Sequence, residues 1–176
     1  MNSHSFRQNA IHIRDARAED ILGIVALIGT CAPYLGKHGS YLYLIYTRYY
    51  GETCSFAVED GLIVGWCSVL PVKAGCYFLH QLGIAPEARG RGVAFALFSH
   101  ILTKLRERHG EEFRLEFTAD RKNKAVHHLN RKVAEEFHLN LQKLPEAVPP
   151  LEDGSDEELY EMTPLRPLDV TLHSAA

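Results

Sequence analysis

The sequence predicts an α+β domain in which a central, mixed and mostly antiparallel sheet of about seven strands is flanked by helices. Three observations predict it. Strand-like runs follow one another between Cys54 and Ile84 with only turn-length gaps, the apolar period changes to a helical one at Val93, and strand and helix patterns alternate from Phe113 onward. A hairpin series followed by alternating strands and helices implies a mixed sheet with helices packed on it, which excludes a doubly wound parallel sheet.

Each element has its own justification. Ile11 and Ile13 alternate with His12 and Arg14, giving a half-buried strand over Ile11 to Asp15, and Ala18-Glu19-Asp20 opens a helix to about Gly29. The aromatic run Tyr41 to Tyr50 fits helix and strand patterns alike, and a helix is the favoured reading. Strands follow at Cys54 to Glu59, Leu62 to Leu70 and Tyr77 to Ile84, separated by Asp60-Gly61, which has hairpin-turn chemistry, and by residues 71–75. Val93, Leu97, Ile101 and Leu105 form one helical stripe with Ala94, Phe98 and Leu102 beside it, ending near His109-Gly110. Phe113, Leu115 and Phe117 alternate with Arg114, Glu116 and Thr118 as a strand, and Asn123 to Phe137 reads as a second amphipathic helix. The last strands are expected at His138 to Leu144 and Glu157 to Thr163, on either side of a Pro- and acid-rich linker.

The chain of 176 residues suits one domain, expected over residues 11–163, with a flexible leader at 1–10 and a flexible tail at 164–176. A composition of 46% hydrophobic and 23% charged residues is that of a globular protein. Its apolar runs are too short to span a membrane and the N-terminus has no apolar h-region, so a cytoplasmic protein is expected. Cys31, Cys54, Cys67 and Cys76 stand far apart without a CxxC pair, which suggests neither a disulfide framework nor a zinc site. A net charge of -3 gives no footprint for nucleic acid, so an anionic ligand must meet a local basic patch.

That patch lies after the strand ending at Ile84. Ala85-Pro86-Glu87 turns the chain, and Arg89-Gly90-Arg91-Gly92 opens the Val93 helix. A helix N-terminus presents free amides and a positive dipole end, glycines admit a ligand to the backbone, and two arginines add charge. The combination is an anion cradle, although a Gly/Arg turn taken alone is equally a solvated loop. It matches neither the dinucleotide GxGxxG fingerprint nor a P-loop.

Arg89-x-x-Gly92-x-Ala94, with its strand and turn before it and Leu115-Glu116-Phe117-Thr118, Asn123 and Ala125 downstream, resembles the Q/R-x-x-G-x-G/A signature of the GNAT superfamily of N-acetyltransferases. The resemblance covers Ile11 to about Thr163. It implies the GNAT fold, acetyl-CoA as co-substrate, and direct attack of a primary amine of a small metabolite on the thioester. It also implies that Arg89, Gly90, Arg91, Gly92, Val93 and Ala94 hold the pyrophosphate, and that Leu82 and Ile84 pair with the pantetheine arm while an amide near Leu82 polarises the thioester. Asn123 is implied as a helix cap and coenzyme contact, and a homodimer is expected at family level. Within the superfamily, Cys31-Ala-Pro, Tyr41-Leu-Tyr43-Leu-Ile, Asp60-Gly-Leu-Ile-Val-Gly65, His80-Gln81, Leu115-Glu116 and Glu157-Glu-Leu-Tyr160 resemble the diaminobutyrate acetyltransferases of ectoine synthesis. The sequence departs from that pattern at Gly36, His80 and Gly154, where an aspartate, a tryptophan and a histidine are expected.

An alkylamine of pKa about 10.4 arrives protonated and needs a base. Glu116, which alternates away from Leu115 and Phe117, is the first candidate, with an ordinary polar-face residue or a counter-charge as its alternatives. His80 is the second, as base or substrate contact, because an unperturbed imidazole titrates near about 6.5. Tyr41 and Tyr43 are candidate walls of the amine pocket with Glu157 as counter-ion, though core packing accounts for most of the tyrosines between Tyr41 and Tyr50. Many relatives carry a tyrosine acid where this chain has Leu129, so solvent, Tyr160 or a nearby histidine is left to protonate the thiolate. Adjacent His127 and His128 diverge by about 100° on a helix and predict no metal site. The alternative functions are an acetyl-CoA-binding regulatory module without turnover and a protein or peptide N-acetyltransferase.

Overall fold

Turn chemistry sets the first half of the sheet. In the computed structural model, which describes residues 10–31, 35–149 and 155–165, Asp60 and Gly61 both take positive φ, +51° and +78°, and so close a tight hairpin whose twist matches its strands. β1 (His12–Asp15), β2 (Cys54–Glu59), β3 (Leu62–Lys73) and β4 (Cys76–Ile84) pair antiparallel in sequence order. β5 (Arg114–Asp120) joins β4 in parallel, and β6 (Leu139–Ala147) and β7 (Glu157–Pro164) complete a seven-stranded sheet of order β1-β2-β3-β4-β5-β7-β6.

Helices cover both faces. A short turn at Ala18–Asp20 leads into α1 (Ile21–Thr30), which packs with α2 (Ser40–Tyr49) over β3 and β4. On the other face lie α3 (Val93–His109), against β2, β3 and β4, and α4 (Lys124–Glu136), against α3 and β6. The predicted α3 stripe is the core: Val93, Leu97, Phe98, Ile101, Leu102 and Leu105 are all buried. Under α2, the Trp66 ring stacks on Phe56 at 4.9 Å and meets Tyr43 edge-on at 6.5 Å. The ambiguous tyrosine run is a helix because Tyr43 and Tyr46 fall on one buried face while Tyr41 and Tyr49 fall outside it.

Several strand boundaries move, and β6, expected to end at Leu144, runs through Pro145 to Ala147 opposite Glu158. β3 runs past Leu70 through Pro71 to Lys73, because the ladder is irregular between Pro71 and Lys73 and proline is tolerated at such a bulge. At the other end Pro164 closes β7 opposite Leu139, and the Leu165 N–H donates to the His138 carbonyl, so the last strand reaches one residue beyond Thr163. Residues 1–9 of the leader expected at 1–10, residues 166–176 of the tail expected at 164–176, and Pro33 and Gly154 lie outside the described residues. No helix among the described residues is long and apolar enough to cross a membrane.

Gly65 shows how closely α3 approaches the sheet. A Cβ there would lie 2.8 Å from Leu97 Cδ1, 3.0 Å from Ala57 Cβ and 3.2 Å from Ile84 Cδ1. Gly65→Ala is therefore expected to destabilise the protein by about 1–3 kcal/mol through overpacking, lowering the urea midpoint at unchanged m-value. A midpoint equal to that of the parent would mean that α3 yields without strain.

Candidate active site

β4 and β5 pair only from Cys76 to Leu79 against Arg114 to Phe117. Beyond that point β4 runs on to Ile84 paired with β3 alone, and β5 runs on to Asp120 paired with β7 alone. The strands part because His80 is a bulge: Ser68 faces Gln81 and Val69 faces Leu79, which leaves His80 without a partner on β3 and bends β4. The β5-side edge of residues 80–84, including Leu82 and Ile84, is thus a row of backbone groups that an extended ligand can pair with.

The edge leads directly to the basic loop. Gly90 and Gly92 take φ of +72° and +78°, and a Cβ at either would meet nothing within 4 Å. Conformation requires glycine at both positions, and the space above them is open. α3 begins with no side-chain cap, and its first turn bonds from the Ala96 N–H to the Gly92 carbonyl, so the amides of Val93 and Ala94 are available to an anion. The two arginines divide their roles. Arg89 is exposed, with Nε donating to the Ile84 carbonyl at 3.1 Å. Arg91 instead donates to both Glu59 oxygens at 2.9 and 2.6 Å, holding that carboxyl below its usual range. Arg91 thus fastens the loop to the β2–β3 hairpin, and among the described residues Arg89 has no carboxylate partner.

The face of the sheet under α1 and α2 carries the polar groups nearest the split. Glu116 lies opposite Phe78 on β4 and Glu161 on β7. Its Oε1 accepts from Cys76 Sγ at 3.6 Å and pairs with Arg114 Nε at 3.3 Å, and the same Nε lies 3.0 Å from Glu161 Oε2. Gln142 donates to the other oxygen of Glu161 at 3.0 Å. Two carboxylates share one guanidinium, which leaves this face net acidic and suited to a cation. Glu157 opens β7 opposite Asp120, on the same face by alternation and at the far end of the β5 arm.

His80 does not keep the ordinary imidazole that made it a candidate base. Burial, with the His38 ring tilted against it at a centroid distance of 5.1 Å, pulls its pKa down to about 4, so the ring is neutral at physiological pH. Its Nδ1 lies 3.2 Å from the Tyr46 hydroxyl, whose pKa burial pushes up to about 12. Next to it, Gln81 accepts from Trp66 Nε1 at 3.3 Å and donates to the Gly36 carbonyl at 3.0 Å, tying the α1–α2 loop to β4.

The tyrosine wall is not where the sequence placed it. Tyr41 is 74% exposed on the outer side of α2, and Tyr43, 1% exposed, is a core residue whose hydroxyl accepts the His38 N–H at 3.4 Å. Tyr46 is the tyrosine brought to His80. Asn123 caps α4, its Oδ1 accepting the Val126 N–H at 3.2 Å. Tyr160 stacks on Phe117 and gives its hydroxyl to Glu158 at 2.7 Å, which occupies the candidate acid. A cleft of about 470 Å³ lined by Arg48, Glu52, Tyr77 and Arg108 lies at the opposite end of β4 and holds none of these groups. Sequence reasoning missed Arg114, Glu161 and His38. Arg114 had a signal, two residues from Glu116 on one strand face, whereas Glu161 and His38 are joined to the site only by the fold.

Residues 23–133 match the model of the acetyltransferase (GNAT) family. The chain is 33% identical over 120 residues to L-2,4-diaminobutyric acid acetyltransferase of Vibrio cholerae, covering 67% of this chain and 68% of the relative. It is 32% identical over 134 residues to the protein of that name from Halomonas elongata, covering 74% and 68%. A diaminobutyrate acetyltransferase from Paenibacillus lautus, solved with L-2,4-diaminobutyric acid and coenzyme A, shares the fold with a TM-score of 0.77 at 23% identity, covering 89% of this chain and 96% of that one.

The His80 environment makes a prediction in two parts. Its ring resonances are expected to titrate near pH 4 in the folded protein. Because an unfolded chain binds that proton near pH of about 6.5, acid favours unfolding in the window between the two values, by up to about 3 kcal/mol. Urea midpoints at either end of the window should therefore fall less on acidification for His80→Phe than for the parent; parallel losses would show that His80 is not the linked group.

Proposed function

The chain belongs to the acetyltransferase (GNAT) family, and on that premise we propose that the opening between β4 and β5 receives acetyl-CoA, with a small diamino acid such as L-2,4-diaminobutyrate as the acceptor. The enzyme is an acetyl-CoA-dependent N-acetyltransferase acting on a small amine. The observation that carries the reading is the parted pair of strands above an uncapped helix with two left-handed glycines.

Acetyl-CoA supplies the acyl group as a thioester. In this reading the edge of residues 80–84 pairs with the amides of the pantetheine arm, and the amides of Gly90 to Ala94 with Arg89 hold the pyrophosphate. A backbone N–H near Leu82 polarises the thioester carbonyl. Glu116 takes the proton that the incoming ammonium must lose, directly or through a water, because its Oε2 makes no hydrogen bond among the described residues while Cys76 and Arg114 contact Oε1. Glu161 and Glu157 supply the negative field that draws a cationic acceptor to this face. A thiol pKa of about 8.5 lets the leaving thiolate depart without a protein acid, consistent with Leu129 at the tyrosine position and with Tyr160 held by Glu158. The cytoplasm is the assigned compartment, where the four free thiols stay reduced, and pairing of two copies is part of the proposal, to be read by sedimentation.

The test is thiol release from acetyl-CoA against L-2,4-diaminobutyrate, other diamines, amino acids and a lysine peptide. Turnover confined to small amines bears the reading out, and a thermal shift with coenzyme A in the absence of any turnover sinks it in favour of a binding module. Arg89→Ala is expected to raise KM for acetyl-CoA about tenfold with little change in kcat. Glu116→Gln is expected to lower kcat by about 10²-fold or more and to shift the optimum to higher pH; rates unchanged across pH would remove Glu116 as the base.

A further inference from the structure

Tyr46 and His80 form a pair that the steps above leave unused. Tyr46 is 4% exposed, and among the described residues His80 Nδ1 is the only hydrogen-bond partner of its hydroxyl. A buried phenol needs an acceptor for its proton, so the hydroxyl donates to Nδ1. That bond fixes the tautomer: the neutral ring carries its own proton on Nε2. Nδ1 faces the buried hydroxyl and His80 is only half-buried, so the opposite edge of the ring, with an Nε2–H that has no partner among the described residues, is the outward one. The residue sits on the bulge where β4 leaves β5, on the acidic face.

Two other N–H donors on this face are engaged. Arg114 is taken by Glu116 and Glu161, and the Gln81 amide by the Gly36 carbonyl. An acceptor that carried only ammonium groups would need nothing but the carboxylates. One that also carries an oxygen anion needs a hydrogen-bond donor set apart from them.

We propose that His80, held by Tyr46 with its proton on Nε2, reads a carboxylate on the acceptor and makes the enzyme prefer amino acids bearing a side-chain amine to bare diamines. Tyr46 is the positioning residue and His80 the specificity-determining one. The inference rests on the acceptor site proposed above. His38, tilted against the same ring, helps keep the imidazole uncharged, so the donor adds selectivity without placing a cation beside the attacking amine.

The test compares kcat/KM for L-2,4-diaminobutyrate and propane-1,3-diamine, which keeps both amines at the same spacing and lacks only the carboxylate. The parent is expected to favour the amino acid by about 10- to 100-fold, the worth of one hydrogen bond to a charged group. His80→Phe and Tyr46→Phe are each expected to bring that ratio close to one, and His80→Asn, which keeps an N–H donor, to retain more of it. Tyr46→Phe removes a single oxygen and keeps the packing, so it reports even if the histidine variants fold poorly. A parent ratio near one, or a ratio that Tyr46→Phe leaves unmoved, overturns the inference while the acceptor site stands. A common fall in kcat for both amines at constant ratio also overturns it, and assigns the donor to the thioester oxygen. No turnover of either amine by the parent removes the acceptor reading and this inference with it.

Discussion

A strand inside a sheet has to satisfy its backbone on both sides, and the organisation of this protein turns on the one stretch where the protein does not do so. A single unpartnered residue, His80, bends β4 away from β5 after four residues of parallel pairing. The split sets an unpaired polar edge in the middle of the molecule instead of at its rim, where solvent would satisfy it. An extended ligand with its own amides completes the ladder. The glycine loop and the start of α3 then stand at the end of the same edge, because β4 runs straight into them.

The opening has to stay open in the unliganded protein, and the parts around it are fastened by ion pairs between elements, most of them distant in sequence. Arg91 joins the loop before α3 to Glu59 at the β2–β3 hairpin. Asp15 at the end of β1 holds His100 and Lys104 of α3, and Arg14 makes a two-pronged pair with Asp20 at 2.7 Å. Partly exposed ion pairs of this kind add little stability individually. Their value is geometric: each joins a helix or its leading loop to a strand, and the apolar stripe of α3 supplies the burial that keeps them in register.

The loop at Arg89 to Ala94 and the α3 helix were legible in the sequence because their signals are local, namely two glycines, a change of period and an apolar stripe. The α2 tyrosines were half legible. Their spacing allowed a helix, but which of them faced the site depended on how α2 lies on Trp66. The bulge left no mark, since Tyr77 to Ile84 reads as an ordinary strand with or without an extra residue. Arg91 read as a ligand for anions because its partner, Glu59, lies 32 positions away. The proton affinity of His80 likewise came from burial and from His38, neither of which neighbours it in sequence. Glu116, by contrast, was correctly set on the polar face by simple alternation, and the fold added what alternation cannot carry, the shared guanidinium and Glu161 opposite.

β4 meets its two ligands with different parts of itself. Toward the coenzyme it offers an edge of backbone atoms, which almost any side-chain sequence can supply. Toward the acceptor it offers His80, a side chain whose identity is free to change as long as the bulge persists, while Gln81 beside it is buried and holds the α1–α2 loop. Replacements on that face therefore alter which amine is chosen without dismantling the apparatus that delivers the acetyl group. One strand gives the protein a fixed donor half and an adaptable acceptor half, so new acceptor preferences are within reach of a few substitutions along a path on which the catalyst never loses its coenzyme.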